Sequence, residues 1–122
     1  MGYKVTGTTI SITRGDTGYF KFIPYVLHED GSKTEYQAKD GDRIRFAMKK
    51  KLSDSYETLL TKQVDVSTFK MKLEPEDTQN LDFGQYVYDV QLTTAAGDVD
   101  TYIPEVGKVA VLVIEKEVDR HE

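Results

Sequence analysis

The sequence predicts an all-β protein, an antiparallel immunoglobulin-like β-sandwich of about seven to nine strands. Three observations carry that expectation. Apolar residues recur with period two along most of the chain. Turns rich in Gly and Asp (RGDTG, HEDGS, KDGD, AAGD) interrupt the alternation at short intervals. No segment reads as a helix longer than one turn. At 122 residues and 13.9 kDa the chain fits one domain, 1–122, large enough to bury roughly two-thirds of its unfolded surface. Only the tail EVDRHE, above all 119–122, is expected to fray.

Taken in order, Ile10 and Ile12 alternate with Ser and Thr and give a first short strand. After RGDTG, Phe20, Phe22, Pro24 and Val26 alternate with Tyr19, Lys21, Ile23 and Tyr25, which predicts one strand covered on much of both faces. Pro24 cannot donate to a ladder, so part of that strand should lie at an edge. His28 to Ser32 is a hairpin turn in which Gly31 is free to take positive φ. KTEYQ is a weak strand and AKDGD a second turn. Arg43 to Lys49 alternates cleanly, with Ile44, Phe46 and Met48 inward. KLSDS breaks the pattern, and strands follow over Glu57–Lys62 and Thr68–Glu74. Pro75–Thr78 reads as a one-turn helix, with proline early and acids near its N-terminal end. Gln85–Thr93 is the clearest strand, Val99–Ile103 answers it across a turn, and Lys108–Glu115, apolar on both faces, reads as a central strand.

Composition excludes several functions. The chain has no Cys, which removes disulfides, thiolate chemistry and cysteine-based zinc sites. A net charge of -5 and a pI near 5.1 argue against a nucleic-acid groove; the one basic run, Lys49-Lys50-Lys51, solvates a strand end. No apolar run approaches the ~20 residues of a membrane helix. The N-terminus lacks the apolar block of a secretory signal, so cytoplasmic synthesis is expected.

The segment Leu73 to Tyr88, LEPEDTQNLDFGQYVY, is the most informative. A strand ends, an acidic turn crosses over, and Gly84 precedes an alternating Tyr strand. In immunoglobulin-like sandwiches a Tyr at this corner returns its hydroxyl to backbone a few residues upstream. Tyr86 is placed to do that, and Tyr88 to fill the volume that an inter-sheet disulfide occupies in antibody domains. Arg14-Gly15-Asp16 spells an integrin-recognition tripeptide, but between two strands Gly15 supplies positive φ and Asp16 can bond nearby backbone, so a structural turn is expected.

No catalytic set emerges. His28 and His121 are the only histidines, one in a polar turn and one in the tail, so neither a triad nor a multi-His metal site is expected, and no cofactor. A weak calcium site at Asp40 and Asp42, or Asp98 and Asp100, lacks the spacing of a dedicated loop. Tyr19, Tyr25, Tyr36 and Tyr56 leave a carbohydrate- or surface-binding module open as the alternative function.

The order of RGDTGYFKF, HEDGS, DGDRIRFAMKK, LEPEDTQNLDFGQYVYDVQLTTAAGD and VAVLVIEKEV, from about Ile10 to Val118, resembles small immunoglobulin-like proteins of phages and prophages of Gram-positive bacteria, similar to N-terminal domains of upper baseplate proteins. The resemblance implies a non-enzymatic structural part of a virion tail or baseplate, made in the bacterial cytoplasm and incorporated into the virion. Its partners would be other tail or baseplate proteins and further copies of itself, with neither nucleic acid nor membrane. The expected contacts lie at Pro24 and Tyr25, or at Leu59 and Leu60.

Overall fold

The structure, a computed structural model, describes residues 2–116; the tail 117–122 and His121 lie outside them. Eleven strands and one helical turn follow in the order β1 (Tyr3–Thr6), β2 (Thr9–Thr13), β3 (Gly18–Lys21), β4 (Tyr25–Leu27), β5 (Lys33–Glu35), β6 (Arg43–Lys51), β7 (Tyr56–Val64), β8 (Lys70–Leu73), α1 (Pro75–Thr78), β9 (Gly84–Thr93), β10 (Val99–Ile103) and β11 (Ala110–Glu115). The protein is all-β. One seven-stranded sheet runs β1-β2-β11-β9-β6-β7, with β10 against the far half of β9. The pairs β3–β8 and β4–β5 are separate.

Alternation decides which residues become core. Ile44, Phe46 and Met48 of β6 are 0% exposed. Tyr86, Tyr88, Val90 and Leu92 of β9, Ala110, Leu112 and Ile114 of β11, and Ile10 and Ile12 of β2 are buried on the same side. Phe20 and Phe22, with Phe69, Met71 and Leu73, close that core from the β3–β8 layer. Aromatic rings bridge the two layers: Phe22 stacks on Phe46 at 5.9 Å and lies 6.1 Å from Tyr88, which is itself 5.3 Å from Phe46. Tyr88 thus fills the space between the layers.

Four details differ from the sequence reading. The large sheet is mixed, because β11 pairs with β2 in parallel, Leu112 opposite Ile10 and Ile114 opposite Ile12. An extra edge strand, β1, folds back on β2 through a two-residue loop in which Gly7 has φ 60°. The strand expected over Tyr19–Val26 is two. The Phe22 amide still bonds to Phe69 O at 2.8 Å, but Pro24 has no N–H to extend the ladder, and β4 starts afresh against β5. Only one face of β3 is covered, Tyr19 and Lys21 being exposed. Last, β11 begins at Ala110 rather than Lys108, with Val109 exposed.

Candidate functional site

Around α1 the chain forms a dense polar corner. The Asp77 carboxylate accepts the Glu74 amide at 2.7 Å and the Lys62 ammonium at 2.7 Å, tying the helical turn to β7. Thr78 is fully buried and its hydroxyl accepts the Gly15 amide at 2.9 Å. Past α1, the Tyr86 hydroxyl donates to Asp82 O at 2.6 Å, and Gly84 between them has φ 131°, a region that only glycine enters without strain. The Tyr88 hydroxyl donates to Thr8 O. Burial pushes both phenols up, Tyr88 to about 12.

The Arg14-Gly15-Asp16 turn is bolted to that corner. Arg14 N bonds to Glu115 O at 3.0 Å, its guanidinium lies 4.1 Å from the Phe83 ring centroid, and Nη1 reaches Leu81 O at 3.4 Å. Gly15 has φ 82°. The Asp16 carboxylate lies against Gly2, just ahead of β1, where an added Cβ would stand 1.6 Å from Oδ2. All three residues are half-buried. Integrin recognition needs Arg and Asp splayed outward from a loop tip, and here they pack against different neighbours.

The four expected contact residues separate in the structure. Pro24 is buried, with its carbonyl taken by the Tyr36 amide at 2.9 Å, so it presents no surface to a partner. Tyr25 is 55% exposed. Leu59 and Leu60, adjacent in sequence, are both half-buried and both pack on the core. The cause is a bulge: Met48 pairs with Leu60 but Lys49 with Thr58, leaving Leu59 as the extra residue.

Two surfaces could not be read from alternation. Tyr25, Val26 and Leu27 are all exposed, Leu27 at 68%. Beside them runs a groove of about 510 Å³ lined by Ile23, Tyr25, Leu27, Tyr102 and Ile103 among others. The signal in the sequence was the run YVL, but the run does not show that β4 stands off the core. On the open face of the large sheet Asp89 sits between Arg45 at 3.3 Å and Lys49 at 2.8 Å, an arrangement set by the β6–β9 register rather than by spacing in sequence. The exposed tyrosines border different grooves: Tyr56 that of Lys49, Val87 and Asp89, Tyr19 that of Lys70 and Lys72, Tyr25 that of Tyr102. Tyr36 is half-buried and donates to Asp42 at 2.6 Å.

No protein-family model matches the chain, and no curated protein matches it significantly.

As for chemistry, His28 Nε2 lies 2.9 Å from Thr34 Oγ1 in an exposed hairpin. Among the described residues no group of three or more His, Asp or Glu side chains stands together to hold a metal ion, and Asp42 spends its carboxylate on Tyr36 and the Lys39 amide. No helix among the described residues is long and apolar enough to cross a membrane.

Proposed function

We propose that this chain is a non-enzymatic structural module of a phage or prophage tail or baseplate, acting through protein–protein contacts. The observation that carries the contact role is β4. A strand whose three residues Tyr25, Val26 and Leu27 are all exposed, beside a groove lined by Ile23, Leu27 and Ile103 with Lys33 and Glu105, is the kind of surface that a partner covers. The virion assignment rests on the resemblance of the segments around RGDTGYFKF and LEPEDTQNLDFGQYVYDV. An immunoglobulin-like reading of the sandwich is supported by the hydroxyl bond of Tyr86 to Asp82 O and by the split of β3–β8 from the sheet holding β6, β9 and β11.

Particles purified from the source bacterium after prophage induction provide the test. The chain should appear by mass spectrometry at a stoichiometry comparable to other tail proteins, and antibody labelling should mark the tail. Particles that assemble and infect without it would refute the assignment.

A further inference from the structure

We propose that β7 pairs antiparallel with β7 of a second copy of this chain across a two-fold axis, joining the two large sheets into one. β7 is nine residues long and ends the sheet, and among the described residues no strand pairs with its outer side. Such an edge is a template for another strand unless guarded. Here it carries two guards. Lys62 stands opposite Phe46 on the core-facing side, and the bulge at Leu59 interrupts the ladder. Both discourage an arbitrary strand.

Neither guard obstructs a second copy. The central residues read Glu57-Thr58-Leu59-Leu60-Thr61-Lys62, which is its own antiparallel complement: Glu57 meets Lys62 of the second copy, Thr58 meets Thr61, and Leu59 meets Leu60. In an unbroken strand that register would fail, because it sets odd positions against even ones and residues on opposite faces would be paired. The bulge removes the conflict. Glu57 pairs with Lys50 and Lys62 with Phe46, on the core-facing side, while Thr58 pairs with Lys49 and Thr61 with Ala47, on the open side. Each residue therefore meets a partner on its own face. Glu57 is exposed and makes no ion pair among the described residues, and Lys62, already 2.7 Å from Asp77, gains a second carboxylate. Opposite charges and Thr pairs directly across strands are the favourable cross-strand combinations, and the solvent-facing parts of four half-buried leucines become covered. The inference concerns the purified chain alone and holds or fails independently of any virion.

The experiment is sedimentation velocity on the purified chain up to about millimolar concentration, with charge-swapped variants. Wild type should dimerise with concentration. Glu57→Lys places lysine against lysine at both ends and should weaken the dimer by about tenfold or more. An equimolar mixture of Glu57→Lys and Lys62→Glu should recover it, since every pair is again opposite in charge. Lys62 also holds Asp77, so a folding-neutral check is needed. Thr58→Cys mixed with Thr61→Cys, both exposed positions in a chain without cysteine, should give a disulfide-linked dimer more readily than either alone. A chain that stays monomeric throughout would overturn the proposal. So would a dimer that tolerates Glu57→Lys and shows no preference for the Thr58–Thr61 cross-link.

Discussion

Replacing Tyr86 by Phe removes one oxygen from the corner and nothing else. The ring is 5% exposed and packed in the core, so no cavity forms and the cavity cost of a core truncation does not arise. What is lost is the hydrogen bond to Asp82 O at 2.6 Å. The net worth of a neutral bond is about 0.5–1.5 kcal/mol, and an acceptor left dry can raise the loss to about 3 kcal/mol. Asp82 is exposed, so water can reach its carbonyl once the hydroxyl is gone, and the lower range applies: about 1–1.5 kcal/mol. For a domain of this size each kcal/mol moves the midpoint by about 3–6 °C, giving a fall of about 3–9 °C in a calorimetric scan. Urea unfolding should show a lower midpoint with an unchanged m-value, since the surface exposed on unfolding is the same. Tyr25→Phe, on an exposed ring whose hydroxyl has no partner among the described residues, serves as control and should shift neither. A midpoint for Tyr86→Phe equal to that of wild type, or a fall matched by Tyr25→Phe, would refute the claim that this hydroxyl pins the crossover.

Thr78→Val keeps the buried volume but strips the acceptor from the Gly15 amide, and should cost about 1–3 kcal/mol in urea unfolding. Stability should fall as pH rises from about 10, the ordinary phenol value, through about 12. Tyr88, Tyr102 and Tyr86 are raised by burial, and Tyr36 first by its bond to Asp42, so the unfolded chain loses its phenolic protons first. Loss of β-sheet circular dichroism should therefore accompany ionisation of these four phenols, and their titration near pH 10 with the circular dichroism unchanged would count against it. Asp42 runs the other way. The Tyr36 hydroxyl first, then the Lys39 amide, hold its carboxyl below the ordinary range, so its stabilisation is present above that range and lost as pH falls. In Asp42→Asn the urea midpoint should be lower at neutral pH and fall less on acidification.

Much of the core was legible because a period of two states which face a side chain takes. Arg43–Lys49 is the clearest case, since Ile44, Phe46 and Met48 had only one side on which to be buried. What period two does not state is the partner. The apolar run Val109–Ile114 fits a central strand in either direction, and its parallel pairing to β2 follows from where the chain enters and leaves the sheet. Pro24 was expected to put part of its strand at an edge; instead the strand ends before it, because β4 has β5 to pair with and leaves the core. Leu59-Leu60 left a visible trace, two apolar residues in succession inside an alternating strand. The register against β6 shows a bulge there, and both side chains pack on the core.

The same distinction governs the candidate sites. Arg14-Gly15-Asp16 matches a recognition motif by residue type, but a motif acts through where its side chains go. Here the glycine holds a turn, the arginine covers Phe83 and the aspartate lies against Gly2. Glu57–Lys62 matches no motif, yet its residues lie along an edge that no strand among the described residues pairs with, at a spacing that the bulge converts into self-complementarity. Two features that look like edge protection, an inward lysine and a bulge, combine with the exposed Glu57 to reject most strands and to admit one. An edge built that way selects its partner by register and charge together, and the strand that satisfies both is its own copy.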